Sequence, residues 1–277
     1  MVSIPDVGSI VRVALAEDLG SGDVTSVSIL APDRHVRGRV VAKAPGVVAG
    51  LTVAAEVFAQ VDARIAWTPK VVDGARVAPG DVVATLEGPA IGILAGERTA
   101  LNFLQRMSGI ATATRAFVDR VQGTGATILD TRKTAPGLRV LDKMAVRAGG
   151  GRNHRMGLFD MVLIKDNHID ACGSIPEAVA RVRRRVGAPL QIEVECRTPA
   201  DVDACLPLAL DRLLLDNMSV TDVRACVALA AGTVPLEASG NITLDNVREY
   251  AETGVAYISV GALTHSVRAL DLSLLVS

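Results

Sequence analysis

Two textures of hydrophobic patterning divide the chain. Residues 36–48, VRGRVVAKAPGVV, and 71–88, VVDGARVAPGDVVATLEG, alternate apolar and polar side chains between Gly and Pro breaks. A period of two puts successive side chains on opposite faces of an extended strand, so both stretches predict short antiparallel strands joined by glycine turns. The first twenty residues carry Asp6, Arg12 and Glu17 within an apolar pattern. They predict an amphipathic helix rather than a secretory leader. A further helix is predicted over 94–107, with Leu101, Phe103 and Leu104 on its buried side.

From about residue 109 the pattern becomes strand alternating with helix. The expected strands are TILD (127–130), MVLIK (161–165), LQIEVE (190–195), RLLLD (212–216), VPLEA (234–238) and AYISV (256–260). They are largely continuous apolar runs, as parallel strands covered on both sides require. Between them lie helix starts: Ser174-x-x-Glu177 with Pro176, Thr198-Pro199 and Ser219-x-x-Asp222. The last units recur every 21 or 22 residues, near the minimum for strand, turn, helix and turn. This is the signature of a barrel-type α/β domain. Six strands are clear, a seventh falls near 110–121 or at the end, and an eighth is absent, so the expected barrel is open. The expected domains are 1–108, an N-terminal α/β sandwich, and 109–265, the barrel, with 266–277 packing back on the first.

Composition narrows the class. The chain has 277 residues, 49% apolar and 21% charged, which is globular, with only 3% aromatics, so the core is built mainly from Val, Leu, Ile and Ala. No apolar run approaches the ~18 residues of a membrane span. The four cysteines form no CxxC pair and the four histidines no metal-ligand spacing, which fits reduced thiols in a cytoplasmic protein. A net charge of −1 argues against a nucleic-acid partner. Against that neutral background, residues 130–155, DTRKTAPGLRVLDKMAVRAGGGRNHR, hold seven Lys or Arg and only two acids. Such a local excess points to a small anionic ligand.

Chemistry in α/β barrels sits at the C-terminal ends of the strands. Those positions here are Asp130, Arg132 and Lys133, then Lys165, Glu195, Asp216, Ser239-Gly240-Asn241 and Gly261-Ala262. Each has an ordinary structural reading. Lys165 would be a lysine reaching for solvent. Glu195 and Asp216 would be ion-pair partners, and 239–241 a turn with a cap. Arg139, Lys143, Arg147 and Arg152 would mostly line a solvated helix face. Together they suit a sugar phosphate meeting a carboxylated acceptor. Small-residue loops opening helices cradle a phosphate; two acids hold Mg²⁺ or sugar hydroxyls; guanidinium groups grip planar carboxylates.

The segments DTRKTAPGLRVLDKMAVRAGGGRNHRMGLFD, LIKDNHI, IEVEC, LLLDNM, LEASGNI and ISVGALTHS, with AEDLGSGDVTS near the start, resemble the ordered motifs of the quinolinate phosphoribosyltransferase family over nearly the whole chain. The resemblance implies a type II phosphoribosyltransferase: an N-terminal α/β sandwich and an open seven-stranded barrel, in a homodimer or larger oligomer with shared active sites. It implies conversion of quinolinate and phosphoribosyl pyrophosphate to nicotinate mononucleotide, CO₂ and pyrophosphate, with Mg²⁺, in NAD biosynthesis. It places Arg132, His154, Arg155 and Lys165 around quinolinate, with Arg98 joining from a neighbouring subunit and Thr131 among the substrate-binding residues. Lys133 and Lys165 would face the pyrophosphate, Glu195 and Asp216 the ribose and metal, and Ser239, Gly240, Asn241, Gly261 and Ala262 the 5-phosphate, with Val260 also substrate-binding. Lys133, Lys165, Glu195 and Asp216 would be catalytic. Met144 departs from the family pattern, which has an aromatic residue there. Two other readings stay open: a paralogue acting on another carboxylated pyridine, and a Schiff-base aldolase using Lys165.

Overall fold

The computed structural model describes residues 6–186 and 190–277. It forms two compact units. One comprises the chain up to Arg115, Thr134–Gly150 and Ala262–Ser277; the other comprises Ala116–Lys133 and Gly151–Gly261. In chain order the elements are α1 (Val7–Leu19), α2 (Val24–Ile29), β1 (His35–Ala42), β2 (Gly46–Val47), α3 (Leu51–Val61), β3 (Ala66–Pro69), β4 (Arg76–Val77), β5 (Val82–Pro89), α4 (Ala90–Arg120), β6 (Thr127–Leu129), α5 (Arg139–Ala148), β7 (Val162–Ile164), α6 (Asp166–Cys172), α7 (Ile175–Val186), β8 (Ile192–Cys196), α8 (Pro199–Cys205), β9 (Arg212–Asp216), α9 (Val220–Ala230), β10 (Leu236–Ser239), α10 (Val247–Ala251), β11 (Tyr257–Ser259), α11 (Ala262–His265) and β12 (Leu272–Val276).

In the first unit the alternating stretches form a four-stranded antiparallel sheet in the order β12-β1-β5-β3, with β2 and β4 paired separately. The chain end supplies the outer strand: β12 runs against β1 with Arg39 opposite Leu275. Helix α1 starts where the Asp6 carboxylate accepts the Ser9 N–H at 2.7 Å, and α2 where Asp23 accepts from Thr25 and Ser26. The core is largely aliphatic, with Val40, Ala42, Val53, Val57, Leu86 and Leu104 buried, and Phe58 is buried too. The Phe58 ring stacks on Trp67 at 5.4 Å.

Two expectations are corrected. The helix over 94–107 is longer, Ala90–Arg120, and takes in nearly all of 110–121, the candidate seventh strand. The buried residues there are Ile110, Ala111, Thr114, Phe117 and Val121. That three-to-four spacing is helical, and the apolar run masked it. Lys143, expected on a solvated face, is buried at 1% exposure.

The second unit is built on a parallel sheet of six strands in the order β6-β11-β10-β9-β8-β7. The α/β assignment stands, but not seven full strands. At the β6 edge one residue takes a seventh place: Arg152 N–H donates to Ile128 O at 2.8 Å, and Asp130 N–H donates to Arg152 O at 3.2 Å. The connecting helices begin where the caps predict. Thr198 accepts from Asp201 N–H at 3.2 Å, and Ser219 from Asp222 N–H at 3.2 Å. Register sorts the side chains into staggered rows on one face. Leu163, Glu193 and Arg212 are neighbours across β7–β9. Glu195, Leu214, Glu237 and Tyr257 follow across β8–β11. Asp216, Ser239 and Ser259 lie beyond. Because side chains alternate with a period of two, all these residues point the same way.

Candidate active site

That face opens on a cavity of about 320 Å³ in the second unit, rimmed by strand ends. Following the sheet from its β7 edge, the lining residues are Leu163 and Lys165, Glu195, Leu214 and Asp216, Glu237 and Ser239, then Ser259. The loop after β6 adds Thr131, Arg132 and Lys133, and the segment beside β6 adds His154 and Arg155. Nine of the sequence-predicted residues therefore share one pocket: Thr131, Arg132, Lys133, His154, Arg155, Lys165, Glu195, Asp216 and Ser239. Gly240 and Asn241 follow Ser239 in the turn after β10, and Val260 and Gly261 follow β11. Arg98, exposed on α4, and Ala262, which opens α11, belong to the other unit, so the pocket does not itself include them.

Lys165 and Glu195 pair directly, Nζ to Oε2 at 3.0 Å, with the lysine half-exposed and the glutamate buried. The Asp216 carboxylate accepts from Asn217 Nδ2 at 2.8 Å. After β10 the backbone turns through positive φ at Gly240 (96°) and Asn241 (53°). Asn217 closes this turn: its N–H donates to Ser239 O at 2.8 Å, and its Oδ1 accepts from Asn241 Nδ2 at 3.1 Å. A Cβ at position 240 would lie 2.1 Å from Asn217 Oδ1, so only glycine fits. Burial and the neighbouring Arg132 charge both press Arg155 below the usual arginine range. Two guanidinium groups held together in a half-buried site call for an anion between them.

The strand-end reading missed the deeper row. Glu193, Arg212 and Glu237 lie inside the sheet, with both carboxylates fully buried. Arg212 Nη1 donates to Glu237 Oε2 at 2.7 Å, and its guanidinium carbon sits 4.1 Å from the centre of the Tyr257 ring. Burial pushes both carboxyls up to about 7, Glu237 further helped by the charge of Glu193. The signal was available: Glu193 is two residues before Glu195, and Glu237 two before Ser239, so each shares a face with a strand-end residue.

The basic stretch divides. Residues 130–133 and 151–155 belong to the pocket's unit, where Thr131, Arg132, Lys133, His154 and Arg155 line it, whereas 134–150 belong to the other unit. There Asp142 accepts from Arg106 through both oxygens at 2.9 Å, and its Oδ2 also accepts from Ala135 N–H at 3.2 Å. That bidentate pair orders the crossover.

Comparison with known sequences settles the relationship. The profile of the quinolinate phosphoribosyl transferase C-terminal domain matches residues 110–275, and that of the N-terminal domain matches 23–108. The chain belongs to the quinolinate phosphoribosyltransferase family. It is 45% identical over 288 residues to a tobacco (Nicotiana tabacum) protein named quinolinate phosphoribosyltransferase [decarboxylating] 1b, covering 97% of this chain and 82% of that one. It is 46% identical over 290 residues to the chloroplastic nicotinate-nucleotide pyrophosphorylase [carboxylating] of Arabidopsis thaliana, with the same two coverages, 97% and 82%. Among solved structures, NadC from Streptococcus pyogenes superposes with a TM-score of 0.95 at 36% identity, over 100% of this chain and 98% of that one. The family's two-domain architecture and this chain's antiparallel and parallel sheets agree.

Proposed function

We propose that this pocket transfers a phosphoribosyl group from phosphoribosyl pyrophosphate to quinolinate, giving nicotinate mononucleotide, CO₂ and pyrophosphate, in NAD biosynthesis. Family membership supports the reaction. The observation that carries the roles is the division of one cavity between cations on the β6 side and at the end of β7, and carboxylates at the ends of β8 and β9.

Quinolinate is a dianion, and burying it costs several kcal/mol per charge unless it is matched. Arg132, Arg155 and Lys165, with His154 and Thr131, supply that match. Lys133 and Lys165 face the departing pyrophosphate. The pyridine nitrogen attacks the ribose C1 as the C1–O bond to pyrophosphate breaks. Positive charge rises at C1, where Glu195 and Asp216 oppose it. The ring nitrogen is then cationic, and the bond to the adjacent carboxylate breaks as CO₂ leaves. The electron pair stays on the ring carbon beside N⁺ and takes up a proton from water.

The turn at Ser239–Asn241, with Val260, Gly261 and Ala262, receives the 5-phosphate through backbone N–H groups. Glu195 and Asp216 are the hard oxygen donors that Mg²⁺ takes, but two oxygens leave most of an octahedron open, so the ion would be held mainly through the pyrophosphate and water. Mg²⁺ would neutralise charge on the leaving group. Arg98 completes the acceptor site from the partner in a homodimer, and the protein works in the cytoplasm. Among the described residues no helix is long and apolar enough to cross a membrane.

The Lys165–Glu195 ion pair favours this reading over a Schiff-base aldolase, which needs a free amine. The test is incubation with quinolinate, phosphoribosyl pyrophosphate and Mg²⁺, following nicotinate mononucleotide and CO₂ together. Both form in equal amounts if the reading is right; no product overturns it.

A further inference from the structure

Beneath the residues given roles above lies a group of charges that the reaction does not use. Glu193 on β8 and Glu237 on β10 are completely buried, with Arg212 of β9 alongside. Facing them is His154, whose side chain is 6% exposed. Its Nε2 lies 3.0 Å from Glu193 Oε2 and 3.7 Å from Glu237 Oε1. Its other nitrogen, Nδ1, accepts the backbone N–H of Arg155 at 2.7 Å. An accepting Nδ1 carries no proton, so the ring proton sits on Nε2, towards the two carboxylates. Asp130 holds the same segment from the backbone side, Oδ1 accepting His154 N–H at 2.8 Å and Oδ2 accepting from Asn153 Nδ2 at 2.6 Å.

Both Glu193 oxygens and Oε1 of Glu237 lack a well-directed hydrogen-bond donor, so Nε2–H of the neutral ring meets Glu193 at contact distance without good alignment. Buried carboxylate oxygens without donors are costly, and they pull hard on a neighbouring N–H. A histidine with two glutamates is also a donor set for a divalent cation, and the three ligand atoms lie within 4.8 Å of one another. Arg212 argues against that use, because its guanidinium, 2.7 Å from Glu237, already fills the cation position.

We infer that Glu193 and Glu237 are positioning residues. They fix the ring of His154 and, through Nδ1, the backbone of Arg155, and so set affinity for the dicarboxylate acceptor, Glu193 from outside the pocket lining. The inference rests on the proposed reading of the pocket as a quinolinate site. It adds a layer of specificity that the strand ends do not contain. Arg155 is anchored at its far end too, Nη1 donating to Met161 O at 3.2 Å. Release of His154 therefore leaves the guanidinium tethered but its backbone loose.

The test uses the full chain and both substrates. Glu193→Ala is expected to raise KM for quinolinate at least about tenfold, with KM for phosphoribosyl pyrophosphate and kcat at saturating quinolinate changed less than about threefold. Glu193→Gln, whose amide oxygen takes the same place beside Nε2–H, returns the quinolinate KM to within about threefold of the parent. In a His154→Ala background, Glu193→Ala adds less than about twofold, since its intermediary is gone. A loss of thermal stability with an unchanged quinolinate KM, or full additivity in the double variant, would overturn the inference. An independent readout is the tautomer of His154 in the free enzyme, followed by ¹⁵N NMR, for which four histidines make assignment tractable. A proton on Nδ1 refutes the positioning scheme even if Glu193→Ala fails to fold. If the parent does not turn over quinolinate at all, the functional reading falls, and the NMR result still decides whether the two glutamates hold His154.

Discussion

The two large sheets of this molecule use burial in opposite ways. In the antiparallel sheet, β1 and β5 bury Val40, Val41, Ala42, Val83 and Leu86 near the Phe58–Trp67 stack. In the parallel sheet, the face that lines the cavity buries Glu193, Glu195 and Glu237, with Arg212 among them. Burying one large apolar side chain stabilises by about 1.5–3 kcal/mol. Burying a carboxylate costs several kcal/mol unless it is fully paired. One sheet therefore supplies stability, while the other gives some up to fix charges in place. A stability measurement and an activity measurement should separate the two.

The largest effect is expected in the apolar sheet's core. Phe58→Ala removes a fully buried ring and should cost about 3–5 kcal/mol of unfolding free energy in denaturant titration. Per folded molecule, kcat should stay within about twofold of the parent. Activity lost in step with stability would break the comparison.

Next comes the charged face. Glu195→Gln keeps the shape and removes the charge opposing the developing cation. It should lower kcat about 10²–10³-fold, equivalent to about 2.7–4 kcal/mol of transition-state stabilisation. Its melting temperature should hold, because Lys165, which loses its partner charge, is half-exposed to water. A change confined to KM would remove the transition-state role assigned here.

A smaller effect should follow from Gly240→Ala. The new methyl meets Asn217 Oδ1, and φ of 96° is strained for alanine. Strain of about 1–3 kcal/mol falls on the turn. The KM for phosphoribosyl pyrophosphate should rise while that for quinolinate does not, in steady-state kinetics with each substrate varied. Equal increases in both would show that the turn is structural rather than a phosphate cradle.

The last effect is on the pH dependence of stability. Glu237 is held at about 7 in the folded chain against an ordinary 4.5, so between these values the folded state binds more protons than the unfolded one. Its contribution is complete below about 4.5 and is lost as pH rises towards and through 7, at no more than about 1.4 kcal/mol per pH unit. Glu237→Gln has nothing to ionise, so it should gain on the parent across that window when urea midpoints are compared. A constant difference between the two would mean that Glu237 is not raised.

The parts of this architecture governed by local periodicity were readable from the sequence. The runs RLLLD and AYISV became β9 and β11, and the caps at Thr198 and Ser219 open helices as expected. The strand-end rule found Lys165, Glu195, Asp216 and Ser239 without any structure. The seventh strand was misplaced because Ile110, Ala111 and Thr114 lie in an apolar stretch whose helical period shows only when burial is known. Arg152, at the far end of the basic segment, takes that place through a single bridge, which no window of hydrophobicity detects. Glu193 and Glu237 were passed over because a lone acid in an apolar run gives no hint of partners brought together by register. His154 is the link, and it reaches them only through the fold.

The staggered rows also fix what kinds of change this chain can absorb over time. Strands of three to five residues hold the pocket groups they carry, Leu163, Glu195, Leu214, Asp216, Glu237, Ser239 and Ser259, in phase. A residue gained or lost inside β10 would turn Glu237 outward and bring Ala238 in, and a slip in β8 would do the same to Glu195 and Val194. Such a change would leave composition, hydrophobicity and strand propensity almost untouched while erasing the chemistry in one step. Length variation is thus confined to the helices and turns between strands. The strands behave as fixed-length cassettes, in which substitutions are graded and insertions are all-or-none.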